Sequence, residues 1–174
     1  NGVEWINSHQ PMERGLSVAV PKLRFDRFGG CFKQTPCYIG VAKSVFALFS
    51  YSEVTGDKSS NVKLEKGKEY LLEHHLVKKL SDDTPITRHI MDISFPESYH
   101  LNIVELIRFA GNANLLDDPR AQFAIRYLEK KKGSFGWKTD FRYRANGYTT
   151  FDNGRKTGDW VSYIINQALS ANRC

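Results

Sequence analysis

Apolar and aromatic positions recur along this chain at two scales. At the short scale they fall every three or four residues, the period of a helix with one buried stripe. At the long scale whole segments repeat. Tyr38, Tyr99 and Trp160 stand 61 residues apart, with Ala42, Ile103 and Ile164 at i+4 and Phe46, Ile107 and Ala168 at i+8. A second layout lies between them, in "GVEWINSHQ" from Gly2, "GKEYLLEHH" from Gly67 and "AIRYLEKKK" from Ala124. Each has a small residue, an aromatic three positions on (Trp5, Tyr70, Tyr127), an aliphatic next and a polar or basic close. These patterns predict helices at about 2–9, 36–53, 61–79, 97–115, 119–132 and 158–172.

Start signals support the assignment. Thr35-Pro36 and Asp118-Pro119 each offer a capping oxygen followed by Pro at the first helical position, where the missing N–H does no harm. Asn61 and Thr157 are the expected caps of two further helices. Strand signals are weak: "LSVAVPKLRF" (Leu16 to Phe25) has an extended character, but Pro21 confines it to an edge or a loop. The expected unit is a helix pair of about sixty residues used three times, each pair stacking on the next to bury its apolar face. The fold class is therefore all-α, built of helical-hairpin repeats joined by long aromatic loops, with residues 1–174 forming a single domain. "FDRFGGCFKQTPCY", "MDISFPESYH" and "GSFGWKTDFRYRANGYTTFDNG" are such loops, and loops of this length either line a ligand or pack as ornament.

Bulk properties narrow the class. The 174 residues are 41% hydrophobic and 25% charged, which fits a folded globular chain and excludes disorder. The densest apolar run, "SVFALF" (Ser44 to Phe49), is far too short to cross a bilayer, and "NGVEWINSHQ" has no signal-peptide pattern. Three cysteines, Cys31, Cys37 and Cys174, make no disulfide framework and point to a reducing, cytoplasmic setting. A formal charge of +6 permits anionic partners without specifying one.

A helix with a small residue and an aromatic, then a Gly/Trp loop, then a second apolar helix resembles the terpenoid cyclase and protein prenyltransferase superfamily of α/α toroids. The resembling stretches include "GVEWINSHQ", "GGCFKQTPCYIGVAKSVFALF", "FPESYHLNIVELIRF", "DDPRAQFAIRYLEKKKGSFGW" and "KTGDWVSYIINQAL". The resemblance implies concentric helices around an apolar cavity. It also implies a (partial) toroid, because three pairs are fewer than such a ring closes with. The chain opens inside a helical pattern and stops after its sixth helix, and so reads as a fragment of a longer protein whose open array favours self-association. The superfamily's chemistry is not legible: Asp82-Asp83 and Asp117-Asp118 lack the Asp-x-Asp-Asp spacing of a cyclase acid, and Asp26 and Cys31 lack the Asp-x-Cys spacing of a zinc prenyltransferase. "RYLEKKKGSFGW" (Arg126 to Trp137) is a degenerate repeat junction in this reading, with Trp137 as a packing anchor.

The expected function is a toroid-type domain without known catalytic motifs, binding a hydrophobic, isoprenoid-like molecule or acting as a scaffold. Tyr38, Tyr99, Trp137 and Trp160 are the ligand-contacting candidates, set against the commoner fate of such aromatics as core. An alternative of another class is an enzyme using acid/base or metal chemistry at His89, Asp92 and His100, where imidazole and carboxylate bracket one loop. The bland reading of the same residues is a solvated His89 and a His100 that caps or packs against its own helix. Cys31 and Cys37 are metal-ligand candidates by residue type, although C-x5-C lies outside the spacing of structural zinc sites. His74-His75 and Lys130 to Lys132 suit helix ends, whose carbonyls favour positive charge. Lys78, Lys79, Arg142, Arg144 and Arg155 near Phe141, Tyr143 and Tyr148 suggest a polyanion surface, but no nucleic-acid motif accompanies them.

Overall fold

A computed structural model of the chain describes residues 2–15, 36–96, 100–140 and 151–171. Among these residues there are six α-helices and no strands. The helices are α1 (Gly2–His9), α2 (Tyr38–Thr55), α3 (Asn61–Glu73), α4 (Ile103–Asn112), α5 (Gln122–Lys131) and α6 (Asp159–Ser170), with a 3-10 turn at Pro119–Ala121. None is long and apolar enough to cross a membrane. The chain divides into two compact units, Asn1–Leu72 and Glu73–Cys174. The segment "LSVAVPKLRF", Thr35, Cys31, Tyr99, Cys174 and the basic-aromatic stretch 141–150 lie outside the described residues.

In the first unit, α2 buries Tyr38, Val41, Ala42, Val45, Leu48 and Ser52, the i, i+3, i+4, i+7 stripe of an amphipathic helix. It ends at Gly56, whose φ of 72° suits a left-handed cap and whose N–H bonds to Ser52 O. Asp57 then organises the turn into α3, accepting from Ser59 N at 2.8 Å and from the Tyr51 hydroxyl at 3.1 Å. These bonds, that of Ser59 first, hold its carboxyl below the ordinary range. Helix α3 buries Leu64, Gly67, Tyr70, Leu71 and Leu72. Gly67 permits close approach to α2, since a Cβ there would overlap the Val45 side chain. The Tyr70 hydroxyl donates to Pro36 O at 3.1 Å, and its ring lies 6.2 Å from that of Tyr38. Helix α1 is tied on by Asn7, which donates to Ser60 Oγ at 2.8 Å and accepts from Lys63 Nζ through its carbonyl at 2.6 Å.

In the second unit, α4 is the centre. Asn102 caps it, accepting from Val104 N at 2.9 Å and Glu105 N at 3.1 Å, and Ile103 to Ile107 are all buried. Its main neighbour is α6, approached so closely that a Cβ on Gly111 would lie 2.5 Å from the Ala168 carbonyl oxygen. Ahead of α5, Asp118 accepts from Arg120 N at 2.8 Å and Pro119 opens the 3-10 turn, as the Asp-Pro pair predicts.

Several boundaries differ from the sequence reading. The helix expected over 61–79 ends at Glu73, because His75 and Leu76 take positive φ (46° and 65°) and the chain turns. His74 is consequently buried just past the helix end, with Nδ1 donating to Lys78 O at 2.7 Å, and does not face solvent there. The helix expected over 97–115 occupies only Ile103–Asn112, since Asn102 caps it late and Asn114 turns left-handed. That over 36–53 occupies Tyr38–Thr55, that over 158–172 occupies Asp159–Ser170, and that over 119–132 splits into the 3-10 turn and α5. Asn61 is the first residue of α3 and not its cap. Thr157 does not cap α6 either: Asp152 does, accepting from Trp160 N at 3.3 Å and Val161 N at 2.9 Å.

The hook after α5 shows why a basic helix end precedes a tryptophan. Gly133 and Gly136 pair across a tight turn, and Gly136 has a φ of 129° that other residues rarely adopt. Trp137 is then fully buried, its Nε1 donating to Leu128 O at 2.7 Å and its backbone N to Ser162 Oγ at 2.9 Å. Lys132 covers the ring with Nζ 4.8 Å from its centroid, a cation–π contact. Lys131 pairs with Asp140 at 2.7 Å.

Candidate functional site

The segment between α3 and α4 carries the polar candidates. A turn in which Asp92 N donates to His89 O at 3.1 Å sets the two side chains side by side. His89 Nδ1 lies 2.6 Å from Asp92 Oδ2, a short hydrogen bond. Each side chain is 27% exposed, so the pair is sheltered but reachable. The His100 ring meets that of His89 edge-on at 5.6 Å. All three residues that bracket the loop in sequence thus come together. Ile90 and Ile93, buried on either side of the turn, fix which way the polar groups face.

Asp140 secures the same segment. Its Oδ2 accepts from Ile93 N at 3.0 Å and its own N–H donates to Ile93 O at 2.8 Å, while Lys131 supplies the countercharge. Nothing in the linear sequence links Asp140 to Asp92, 48 residues earlier, so this tether was not legible there. The arrangement holds an imidazole whose Nδ1 is committed to a carboxylate, which fixes the orientation of the ring. Among the described residues no group of three His, Cys, Asp or Glu side chains is placed to hold a metal ion. Cys37 is a free, half-buried thiol at the start of α2.

Three residues beyond Asp92 the character changes. Phe95, Phe151 and Trp160 form an aromatic platform, with centroids 5.9 Å apart for Phe95–Phe151, 6.1 Å for Phe95–Trp160 and 5.2 Å for Phe151–Trp160. Asp152 holds it together, since its bonds to the first N–H groups of α6 clamp the Phe151 segment onto Trp160. Phe151 is 59% exposed and Trp160 48%. Because three residues span at most about 11 Å, the platform begins within that reach of the His89–Asp92 pair.

The other ligand candidates fall elsewhere. Tyr38 is buried against Tyr70, and burial pushes its phenol well above the ordinary value. Trp137 is buried with both N–H groups bonded within the protein, and Tyr99 is outside the described residues. Phe95 and Phe151 were not singled out in the sequence. Their signal was present as aromatic residues within the long loops, but only the cap on α6 brings the loops together. Comparison with models of known families, with curated proteins and with solved structures gives no match.

Proposed function

We propose that this chain is a helical-hairpin domain of the α/α-toroid type that binds an apolar, isoprenoid-like molecule on the Phe95–Phe151–Trp160 platform. The observation that carries the reading is the half-exposure of two large rings, Phe151 and Trp160, each stacked on Phe95 and tilted toward the other. A soluble surface leaves such area open at a cost that a ligand can remove. Each ring retains roughly 100 Å² of open surface. Covering both would release at most about 5 kcal/mol, so a ligand that uses nothing else binds no tighter than the sub-millimolar range. Support for the architecture comes from one row of the internal repeat, Ala42, Ile103 and Ile164, all buried on their helices, whereas the row above it differs, with Tyr38 buried and Trp160 exposed.

Tryptophan fluorescence during titration with farnesyl diphosphate, and with pyrophosphate as the control, tests this. Saturable quenching by the isoprenoid alone, insensitive to salt and at least about tenfold weaker in Trp160→Ala, is the expected result. Equal response to pyrophosphate, or binding that collapses with salt, would instead favour the polyanion surface.

The 2.6 Å His89–Asp92 bond favours a second reading, in which the pair acts as a general base toward a molecule lying on the platform. In that case His89→Gln removes turnover while leaving isoprenoid affinity unchanged. Loss of both together would reduce the pair to a structural role.

A further inference from the structure

Helices α5 and α6 enclose a separate cleft of about 430 Å³ toward their C-terminal ends, within the size range of small-molecule sites. One wall is a face of α6, with Tyr163, Asn166 and Gln167 at i, i+3 and i+4. These positions alternate with the buried Ile164, Ile165 and Ala168 that hold α6 against the core, so the wall is fixed by packing. The opposite wall is the last turn of α5, with Glu129 and the capping Lys132, and Trp137 closes the floor. Trp137 is anchored through both its N–H groups, which makes the floor rigid.

The lining selects a ligand class. Glu129 and Lys132 carry opposite charges, so the charged lining of the cleft sums to zero and favours an ion of neither sign. The lining is mixed: Leu169 and Tyr163 are apolar, whereas two carboxamides, Ser170 and two charged groups would each lose water to a purely apolar occupant and receive nothing back, which disfavours a lipid there. Among the described residues neither carboxamide is engaged by another side chain. A carboxamide presents a donor and an acceptor side by side, which matches the adjacent hydroxyls of a sugar ring. The Tyr163 ring, 60% exposed, offers a flat apolar surface for the ring's C–H face. We propose that this cleft is a binding site for a neutral polyhydroxylated ligand of the carbohydrate class. It is distinct from the aromatic platform and independent of the function assigned to it.

The test is two-dimensional NMR of the whole chain titrated with cellobiose, N-acetylglucosamine and trialanine. Saturable shifts of the Asn166 and Gln167 side-chain amides and of the Trp137 indole N–H with a sugar are expected. Asn166→Ala should weaken that binding about tenfold, as loss of a hydrogen-bonding pair does. Tyr163→Ala should weaken it comparably, and Trp160→Ala should leave it intact. Both cleft positions are exposed, so their variants are expected to melt as the parent does. Absence of any saturable shift, shifts with trialanine alone, or shifts that survive both cleft variants would each overturn the proposal.

Discussion

Replacing Gly111 by alanine sets two effects of opposite sign against each other. Within a helix the change gains about 0.5–1 kcal/mol, because glycine loses more backbone freedom on folding. Gly111 stands one residue from the end of α4, so the lower part of that range applies. Against it, the new Cβ would lie 2.5 Å from the carbonyl oxygen of Ala168 and 3.1 Å from its carbonyl carbon and Cα. These are backbone atoms of α6 and cannot rotate away. The helices must part by roughly 0.5–1 Å, which forfeits a quarter to a half of each dispersion contact along their shared face. That face carries Ile103, Ile107, Ile164 and Ala168, all buried. Overpacking of this kind costs about 1–3 kcal/mol, so a net loss of about 1–2 kcal/mol is expected. Urea denaturation would report it as a lower midpoint at unchanged slope. Gly133→Ala is the control: its Cβ would sit 3.4 Å from Gly136 O, an ordinary contact, and stability should barely move. A Gly111→Ala variant as stable as the parent would refute the close approach of α4 and α6.

Asp152→Ala should destabilise the second unit by about 1–2 kcal/mol, since two N–H groups at the start of α6 lose their acceptor. Thr157→Ala should cost less, and the reverse order in thermal melts would return the cap to Thr157. Asp118 accepts from the Arg120 side chain at 3.0 and 2.8 Å, and that bond, followed by the backbone bond from Arg120, holds its carboxyl below the usual range. A depressed native value means that this stabilisation is complete above the unfolded-state value near about 4 and is lost as pH falls through the native one. An NMR titration should find Asp118 ionised below its ordinary range in the parent and moved upward in Arg120→Ala. Coincident titrations in the two proteins would contradict the pairing.

Local chemistry was readable in the sequence wherever partners are near neighbours. The Asp118-Pro119 cap, the apolar stripe of α2 and the all-helical class each depend on residues within two or three turns of one another. The proximity of His89 to Asp92 belongs with them, being a single turn of chain. Helix ends were less legible, because a stop such as that after Glu73 comes from positive φ at His75 and Leu76, residue types that do not demand it. Long-range groupings depended on tertiary structure. The use of Asp152 in place of Thr157 as a cap, the tether from Asp140 to Ile93 and the stacking of Phe95 on Phe151 and Trp160 join loops separated by tens of residues. Periodicity carries no information about such pairs, since it describes one helix at a time. The sequence by itself determined that the chain is helical and where most helices lie, while the faces they bury followed it only in part, since Trp5 and Trp160 are exposed. Tertiary structure alone decided which polar and aromatic groups share a surface, because that follows from long-range bonds such as those of Asp152 to the start of α6 and of Asp140 to Ile93.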